Sequence, residues 1–373
     1  MPLLGSVLVP LNTRDPGRWP EFDLLVDSPL GGGDEGGLGA GEGGRGEAEV
    51  VAHPAPADDE TWVILHTSGT TAAPKPVELT YGNFRASAAA AAANLPLTPE
   101  DRWLCVLPLF HVGGLSILTR SAFAGSTAIV HERFDVDAVA ESLESGEATV
   151  VSLVGTMLRR LQQRGLSGAP ALRAALIGGG PVPRDLLEWG ASIGLPLLLT
   201  YGMTETCSQI ATAVPSDHGG YAKPLPGVDL QIASDGEIQV RGPMVAPGAL
   251  SGDGWLHTGD RGRLDADGYL YVDGRIKDTI VTGGENVAAA EVEEALVAHP
   301  AVADAAVVGR PDPEWGEAVT AFVVVEGETS DESIVAHCRA TLAGYKVPRA
   351  IVRVGELPRT ASGKLLKGRL SGD

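Results

Sequence analysis

The sequence predicts an α/β fold with a large layered α/β N-terminal domain, a β subdomain attached to it, and a small α+β C-terminal domain. From residue 61 to about 199, apolar runs of strand length alternate with segments of helix length, which indicates a layered core with parallel pairing. From 221 to 276 the runs are short, with Asp-Gly turns that favour hairpins. The predicted domains are therefore 1–276, with the β subdomain at 221–276, and 277–373.

The composition restricts the class of protein. The chain has 373 residues, 44% hydrophobic and 20% charged, as in a soluble globular protein of two or three domains. A formal net charge of −20 argues against a nucleic-acid partner, because a phosphate backbone demands clustered Lys and Arg. Cys105, Cys207 and Cys338 form no disulfide or metal-ligand pattern, which indicates a reducing compartment. No run reaches the length of a membrane span, and we expect a cytoplasmic protein without membrane insertion.

The predicted elements follow in chain order. Glycine and scattered acids dominate residues 31–46, which cannot bury enough apolar surface to offset their ordering entropy, so a flexible loop is expected there. The predicted strands of the large domain lie at 62–66, 103–107, 127–130, 149–153, 172–177 and 196–200. The predicted helices lie at 81–94, 113–123, 136–144, 156–164 and 184–193.

The β subdomain and the C-terminal domain rest on separate patterns. Runs at 229–232 and 237–240 flank Ser234-Asp235-Gly236, and a second Asp-Gly turn at 265–268 precedes the run 269–272. In the C-terminal domain a helix is predicted near 290–298, because Val292, Ala295 and Leu296 share one face. Strands near 302–308 and 321–325 and a helix over 331–342 complete it.

Three polar loops follow predicted strands. The first is Thr67-Ser68-Gly69-Thr70-Thr71-Ala72-Ala73-Pro74-Lys75-Pro76-Val77, whose hydroxyls, backbone N–H groups and lysine suit phosphate oxygens. It fits neither the Walker pattern nor the dinucleotide fingerprint, and an ordinary polar loop is the alternative. The others are Gly178-Gly179-Gly180 and Tyr201-Gly202-Met203-Thr204-Glu205-Thr206. Since ligands gather at the carboxyl ends of strands in such sheets, we expect one shared pocket.

The first loop resembles the signature T-S-G-[ST]-T-G-x-P-K-G of the adenylate-forming superfamily, with Ala72 and Pro76 in place of glycines. The resemblance runs from about Thr61 to the end, through Trp255-Leu256-His257-Thr258-Gly259-Asp260, Asp273-Gly274-Arg275-Ile276-Lys277-Asp278 and Pro358-Arg359-Thr360-Ala361-Ser362-Gly363-Lys364. It implies an ATP-dependent, AMP-forming acid:CoA ligase. Such an enzyme takes a small-molecule carboxylic acid, ATP and coenzyme A (CoA), uses Mg²⁺, and moves its C-terminal domain as a lid.

The resemblance also implies individual roles. ATP phosphates would meet Thr67, Ser68, Gly69, Thr70, Thr71 and Lys75. The adenine and α-phosphate would meet Gly178, Gly179, Gly180, Tyr201, Gly202, Met203 and Thr204. Glu205 would bind Mg²⁺, and Asp260 and Arg275 would contact the ribose. Lys277 would lie at the hinge of the C-terminal domain, and Gly283 and Gly284 would line the path of CoA. Lys364 would act in the first half-reaction. The alternatives are a helix start for Thr204 and Glu205, a surface turn and hairpin ion pair for Asp260 and Arg275, and a solvated tail lysine.

Residues 107–118 and 151–161 resemble a narrower group, the o-succinylbenzoate:CoA ligases of menaquinone biosynthesis, although Gly155 stands where such enzymes often have proline. That resemblance implies a dicarboxylic aryl keto acid as substrate. The residues implied for the acid are His111, Gly113, Gly114, Thr156 and Arg159. A satisfied structural histidine and a solvent-exposed arginine are the alternatives for His111 and Arg159.

Other functions stay open at this point. Another aryl- or acyl-CoA ligase of the same fold is the nearest alternative, and a peptide-synthetase-type adenylation domain ranks lower, because no carrier site follows Lys364. A non-catalytic nucleotide-binding module is prompted by Ala72, Pro76 and the short N-terminal region. The joint retention of Glu205, Asp260, Arg275 and Lys364 opposes it. The oligomeric state is open, with a homo-oligomer among the alternatives.

Overall fold

The structure is a computed structural model that describes residues 56–67, 75–213, 223–359 and 365–371. Several predictions fall outside the described residues. They are the flexible loop at 31–46, the phosphate-loop residues Ser68, Gly69, Thr70 and Thr71, and the lysine Lys364. None of the described helices combines the length and the hydropathy that a membrane span requires.

The first described elements form a hairpin. β1 (Thr61–Thr67) and β2 (Lys75–Thr80) pair antiparallel, with Thr67 opposite Lys75. The prediction that 62–66 joins the parallel core was therefore wrong. The phosphate-loop motif is followed by a second strand, which begins at the motif lysine and which the sequence pattern did not predict. Pro76 lies within β2 opposite His66. In a sheet of two strands each strand is an edge, where a residue without an N–H is tolerated.

The central sheet has seven strands in the order β4-β3-β5-β6-β7-β8-β9. Its strands are β3 (Arg102–Cys105), β4 (Thr127–Val130), β5 (Val150–Val154), β6 (Ala174–Gly178), β7 (Leu197–Met203), β8 (Ser208–Ala213) and β9 (Lys223–Pro224). β3 to β7 are parallel, as predicted, and β8 and β9 extend the sheet antiparallel. The carboxyl ends of the parallel strands therefore share one edge.

Helices cover this sheet, and all five predicted helices are confirmed. They are α1 (Tyr81–Asn94), α2 (Val112–Ala124), α3 (Val136–Glu144), α4 (Gly155–Arg164) and α5 (Arg184–Ser192). α1 begins at Thr80 because a capping box closes its first turn: the Thr80 hydroxyl accepts from the Asn83 N–H, and the Asn83 side chain accepts from the Thr80 N–H. α2 ends at Gly125, whose φ of 69° is the left-handed conformation that glycine adopts freely.

The predicted β subdomain is a four-stranded antiparallel meander. Its strands are β10 (Asp229–Ile232), β11 (Glu237–Arg241), β12 (Leu256–Leu264) and β13 (Leu270–Arg275). Gly236 and Gly268 take positive φ values of 87° and 79° in the two predicted Asp-Gly turns. The apolar face of this sheet joins Leu79, Phe84 and Ile210 in one hydrophobic cluster. Packing thereby connects the meander to β2, α1 and β8.

The C-terminal region forms its own α/β unit. Its elements are β14 (Thr279–Thr282), β15 (Glu285–Ala288), α6 (Ala289–Val297), β16 (Val302–Asp312), β17 (Gly316–Val325), α7 (Asp331–Thr341), β18 (Ala350–Arg353) and α8 (Gly368–Ser371). The predicted helices and strands are present here too. Its main buried cluster includes Ile280, Val292, Leu296, Val307 and Ile334, without residues from before 280. The domain boundary at 276/277 stays a prediction.

Candidate active site

Three of the residues predicted to meet the nucleotide converge between the central sheet and the meander. Tyr201 lies in β7, and Asp260 in β12 is the register partner of Arg275 in β13. The Tyr201 hydroxyl donates to Asp260 Oδ2 at 2.7 Å, and Arg275 Nε donates to Asp260 Oδ1 at 2.7 Å. The carboxylate therefore contacts both of the residues expected beside it.

The backbone around Asp260 explains this placement. The Thr258 hydroxyl donates to the Ile238 carbonyl at 2.6 Å and accepts from the Asp260 N–H at 3.1 Å. Asp260 is only 5% exposed, so the surface-turn alternative does not describe it. The hairpin ion pair of the other alternative is present, because Asp260 and Arg275 pair across the adjacent strands β12 and β13. Burial, followed by the negative charge of Asp260, raises the pKa of Tyr201 well above its ordinary value. Tyr201 consequently stays protonated and acts as the donor.

In the glycine loop at the end of β6, the structure explains two of the three glycines, each by a different constraint. A side chain on Gly178 would overlap the Thr200 hydroxyl of the neighbouring strand β7, and Gly179 has a positive φ of 82°. Gly180 alone faces open space. Internal packing thus accounts for Gly178, and the predicted close approach to the adenine is best supported at Gly180.

The turn that carries Thr204 and Glu205 is a short 3₁₀ helix, Thr204–Thr206, between β7 and β8. Its exit is strained, because Cys207 and Ser208 have φ values of 52° and 90° without being glycines. Gly202 allows β7 to pass close to β8, since a side chain there would overlap the Ser208 carbonyl. No sequence pattern marked Cys207 and Ser208, because neither residue type predicts a left-handed backbone.

Glu205 fits the role of a magnesium ligand. It is half-buried, its backbone carbonyl accepts from the Ala246 N–H at 2.8 Å, and within the described ranges its carboxylate has no hydrogen bond or ion pair. The described residues contain no group of three or more His, Cys, Asp or Glu that could enclose a metal. Mg²⁺ commonly binds through one or two carboxylates plus substrate phosphates, so a single carboxylate suits it here.

The residues predicted to meet the acid lie at two helix starts on the same edge of the sheet. His111 is the N-cap residue of α2, and a side chain on Gly114 would overlap the carbonyls of Leu107 and Pro108. Gly114 therefore lets α2 start directly against the preceding turn, whereas a Cβ at Gly113 would make only an ordinary contact with the Leu107 side chain at 3.4 Å. Thr156 is exposed in the first turn of α4. The Cβ of a side chain at Gly155 would lie 3.5 Å from the Pro181 carbonyl, which places this turn beside the glycine loop.

Arg159 is engaged elsewhere. Its guanidinium contacts the Asp185 carboxylate through two nitrogens, at 2.7 and 3.1 Å, and also Gln162 at 2.7 Å. The bidentate pair joins α4 to α5. An acid that used Arg159 would have to compete with Asp185, so this prediction has less structural support than Thr156.

The remaining predicted residues lie on the C-terminal side and near the phosphate loop. Lys277 is exposed in the 3₁₀ turn Ile276–Asp278. Gly283 and Gly284 form the turn between β14 and β15 with φ values of 58° and 85°, and a side chain on Gly283 would press on the Trp315 ring. The Thr67 hydroxyl donates to the Lys75 carbonyl at 3.3 Å, which joins the two ends of the phosphate loop.

The chain matches the family described as AMP-binding enzyme over residues 25–250 and the AMP-binding enzyme C-terminal domain over residues 291–364. Together these matches cover more than half of the sequence. The chain belongs to the AMP-binding enzyme family. This confirms the adenylate-forming superfamily, and with it the predicted fold class of a large α/β N-terminal domain and a smaller α+β C-terminal domain.

The relatives of this AMP-binding enzyme include CoA ligases that act on one kind of acid. The 2-succinylbenzoate–CoA ligase of Bacillus velezensis is 44% identical over 335 residues, which cover 84% of this chain and 69% of the relative. The structure of o-succinylbenzoate CoA synthetase (MenE) from Bacillus subtilis with the acyl-adenylate intermediate OSB-AMP is 42% identical, with a TM-score of 0.80, and 84% and 69% of the two chains are covered. The same Bacillus subtilis protein with ATP and magnesium ion is 40% identical, with a TM-score of 0.80 and coverage of 88% and 74%.

Proposed function

We propose that this AMP-binding enzyme is a 2-succinylbenzoate–CoA ligase of menaquinone biosynthesis, the activity of its 44% identical relative. It forms an acyl-adenylate from ATP and 2-succinylbenzoate (o-succinylbenzoate) and then the CoA thioester. The observation that supports nucleotide binding is the buried Asp260 carboxylate, which accepts hydrogen bonds from Tyr201 and Arg275. An acceptor-only side chain in that position suits the two hydroxyls of a ribose.

In the first half-reaction a carboxylate oxygen of the acid attacks the α-phosphorus of ATP, a new O–P bond forms, and the bond between the α-phosphorus and the pyrophosphate oxygen breaks. Acid and triphosphate repel each other, so orientation and charge neutralisation dominate catalysis. Mg²⁺, held by Glu205 and the phosphates, supplies part of that neutralisation. Thr204 contacts the α-phosphate, and Thr67, Lys75 and the residues between them contact the β- and γ-phosphates.

Lys364 is the proposed catalytic cation. An ammonium on a flexible stem can contact the attacking carboxylate and the α-phosphoryl oxygens together as charge shifts between them. In the second half-reaction the C-terminal unit rotates about Lys277 and withdraws Lys364. Gly283 and Gly284 then line the path of the CoA thiol, which attacks the acyl carbon and releases AMP.

The acid is proposed to bind between the starts of α2 and α4. His111, Gly113, Gly114 and Thr156 lie there, and both helix N-termini attract a carboxylate through their N–H groups and dipoles. We also propose a cytoplasmic enzyme without a nucleic-acid partner, since the net charge of −20 disfavours a polyanion. A homo-oligomer stays an open proposal.

The test is pyrophosphate release with a panel of acids, each measured with and without CoA. We expect 2-succinylbenzoate to give pyrophosphate in both conditions and a CoA thioester only when CoA is present. Turnover of simple benzoic or fatty acids with none of 2-succinylbenzoate would assign the chain to another acyl-CoA ligase. No pyrophosphate with any acid would leave a non-catalytic nucleotide-binding module.

A further inference from the structure

Two polar side chains that the proposed chemistry does not use are buried behind the Thr204–Thr206 turn. They are Ser87 in α1, which is 2% exposed, and Arg120 in α2, which is 4% exposed. Arg120 Nη2 donates to the Ser87 hydroxyl oxygen at 2.9 Å, and that hydroxyl donates to the Cys207 carbonyl at 2.9 Å. A relay of two hydrogen bonds thus runs from a guanidinium to the backbone of the strained turn.

A guanidinium in this position is unfavourable by itself. Within the described ranges no carboxylate lies at ion-pair distance from Arg120, and its Nε has no hydrogen-bond partner. Burial lowers the pKa of Arg120 to about 10, so the side chain still carries its charge at neutral pH. Removing a charge from water without a counter-ion is strongly unfavourable. In return, the charge polarises the Ser87 hydroxyl and strengthens its bond to the Cys207 carbonyl.

The backbone that receives this bond needs support. Among the described residues, Cys207 and Ser208 are the only non-glycine positions with positive φ. Such conformations persist when the surroundings determine them from several sides. The Thr206 hydroxyl lies 2.8 Å from the Ser208 carbonyl, and the Ser116 hydroxyl lies 3.3 Å from that of Ser208. The relay through Ser87 is the contact that adds a charge.

We propose that Arg120 is a positioning residue that acts through Ser87 on the Cys207 carbonyl. It holds the left-handed pair Cys207 and Ser208, and the preceding turn then presents Glu205 to the magnesium–ATP complex. From the other side, the Ala246 N–H donates to the Glu205 carbonyl at 2.8 Å. The inference rests on the proposed role of Glu205 in nucleotide binding and does not depend on which acid is the substrate.

The experiment compares Arg120→Met and Ser87→Ala with a matched control, Arg85→Met. Arg85 lines the same cavity of about 230 Å³ as Arg120 but pairs at the surface with Asp58. Calorimetry gives the affinity of the full chain for ATP with and without Mg²⁺, and for AMP. We expect the enhancement of ATP affinity by Mg²⁺ to fall about tenfold in both relay variants, with AMP affinity changed less than about threefold and the control unchanged.

The double variant adds a second readout. Because both substitutions break one relay, Arg120→Met combined with Ser87→Ala should lose no more than the worse single variant. A normal Mg²⁺ enhancement in folded relay variants overturns the proposal, as does an equal loss of ATP and AMP affinity. If Arg120→Met does not fold, Ser87→Ala decides by the same criteria. If the wild-type chain releases no pyrophosphate with 2-succinylbenzoate, the proposed function is refuted but the role of Arg120 is not, since the calorimetry measures nucleotide binding.

Discussion

Replacing Asp260 by asparagine tests the ribose contact directly. Asparagine keeps the shape of the side chain but has one acceptor oxygen and no charge. The two hydrogen bonds that Asp260 accepts from Tyr201 and Arg275, both 2.7 Å long, are then weakened together with the proposed ones to the ribose. A hydrogen bond to a charged group contributes about 1.5–3 kcal/mol. We therefore expect ATP binding to weaken by about 2 kcal/mol, or about 30-fold.

The decisive measurement is discrimination between nucleotides. ATP and 2′-deoxyATP are compared in pyrophosphate exchange with the wild-type chain and with Asp260→Asn. If Asp260 accepts a hydrogen bond from the 2′-hydroxyl, the wild type prefers ATP and the variant loses most of that preference. A double-mutant cycle with one member in the ligand isolates this contact from general destabilisation.

Asp229→Asn is the matched control. Asp229 pairs with Arg241 at 2.9 Å in the same meander, but both side chains are more than half exposed, and such pairs contribute little. It should leave ATP affinity and the preference for ATP unchanged. A folded Asp260→Asn variant with the wild-type preference for ATP over 2′-deoxyATP would refute the ribose role and leave Asp260 a structural partner of Tyr201 and Arg275.

Three further predictions concern the C-terminal unit. Lys364→Ala should abolish acyl-adenylate formation while thioester formation from supplied acyl-adenylate continues; equal loss of both steps contradicts the proposed division. Lys367→Met should lower the free energy of unfolding by about 3 kcal/mol in denaturant titration, because the largely buried Glu293 carboxylate loses the ammonium 2.7 Å away and keeps only its hydrogen bond from the Val307 N–H. Burial, followed by the neighbouring His337, lowers the pKa of His299. Stability should therefore be full above the unfolded-state pKa of about 6.5 and fall as the pH drops below it, and His299→Gln should flatten that dependence in denaturation at several pH values.

The sequence predicted the parallel strands and their helices well, because each helix was marked by length and apolar spacing. It failed at β1 and β2. A short apolar run such as residues 62–66 has the same pattern in a parallel core and in a hairpin, and β2 begins at the lysine of a motif whose composition predicts a loop. The pairing partner of a strand depends on residues far along the chain, which a local pattern does not contain.

The residues of the candidate site were likewise predicted only in part. Asp260 contacts both Tyr201 and Arg275, as a shared site for these three residues requires, and their contact with a nucleotide stays a prediction. The strained pair Cys207 and Ser208 and the relay from Arg120 were not predicted. Arginine in an apolar helix usually keeps its charge in water, and its burial is decided by α1 and β8, which pack over it from other parts of the sequence.

Packing near the C-terminus bears on how Lys364 could move. Arg359 and Leu365, on either side of residues 360–364, form an antiparallel bridge, and Arg359 also pairs with Asp304 in β16 at 2.7 Å. Lys367 pairs with Glu293 in α6. Both ends of the segment that carries Lys364 are thus fixed to one α/β unit with its own core. If Lys364 changes its position relative to ATP, we therefore expect these ends to move together with the unit, and the turn Ile276–Asp278 at its start stays the predicted hinge.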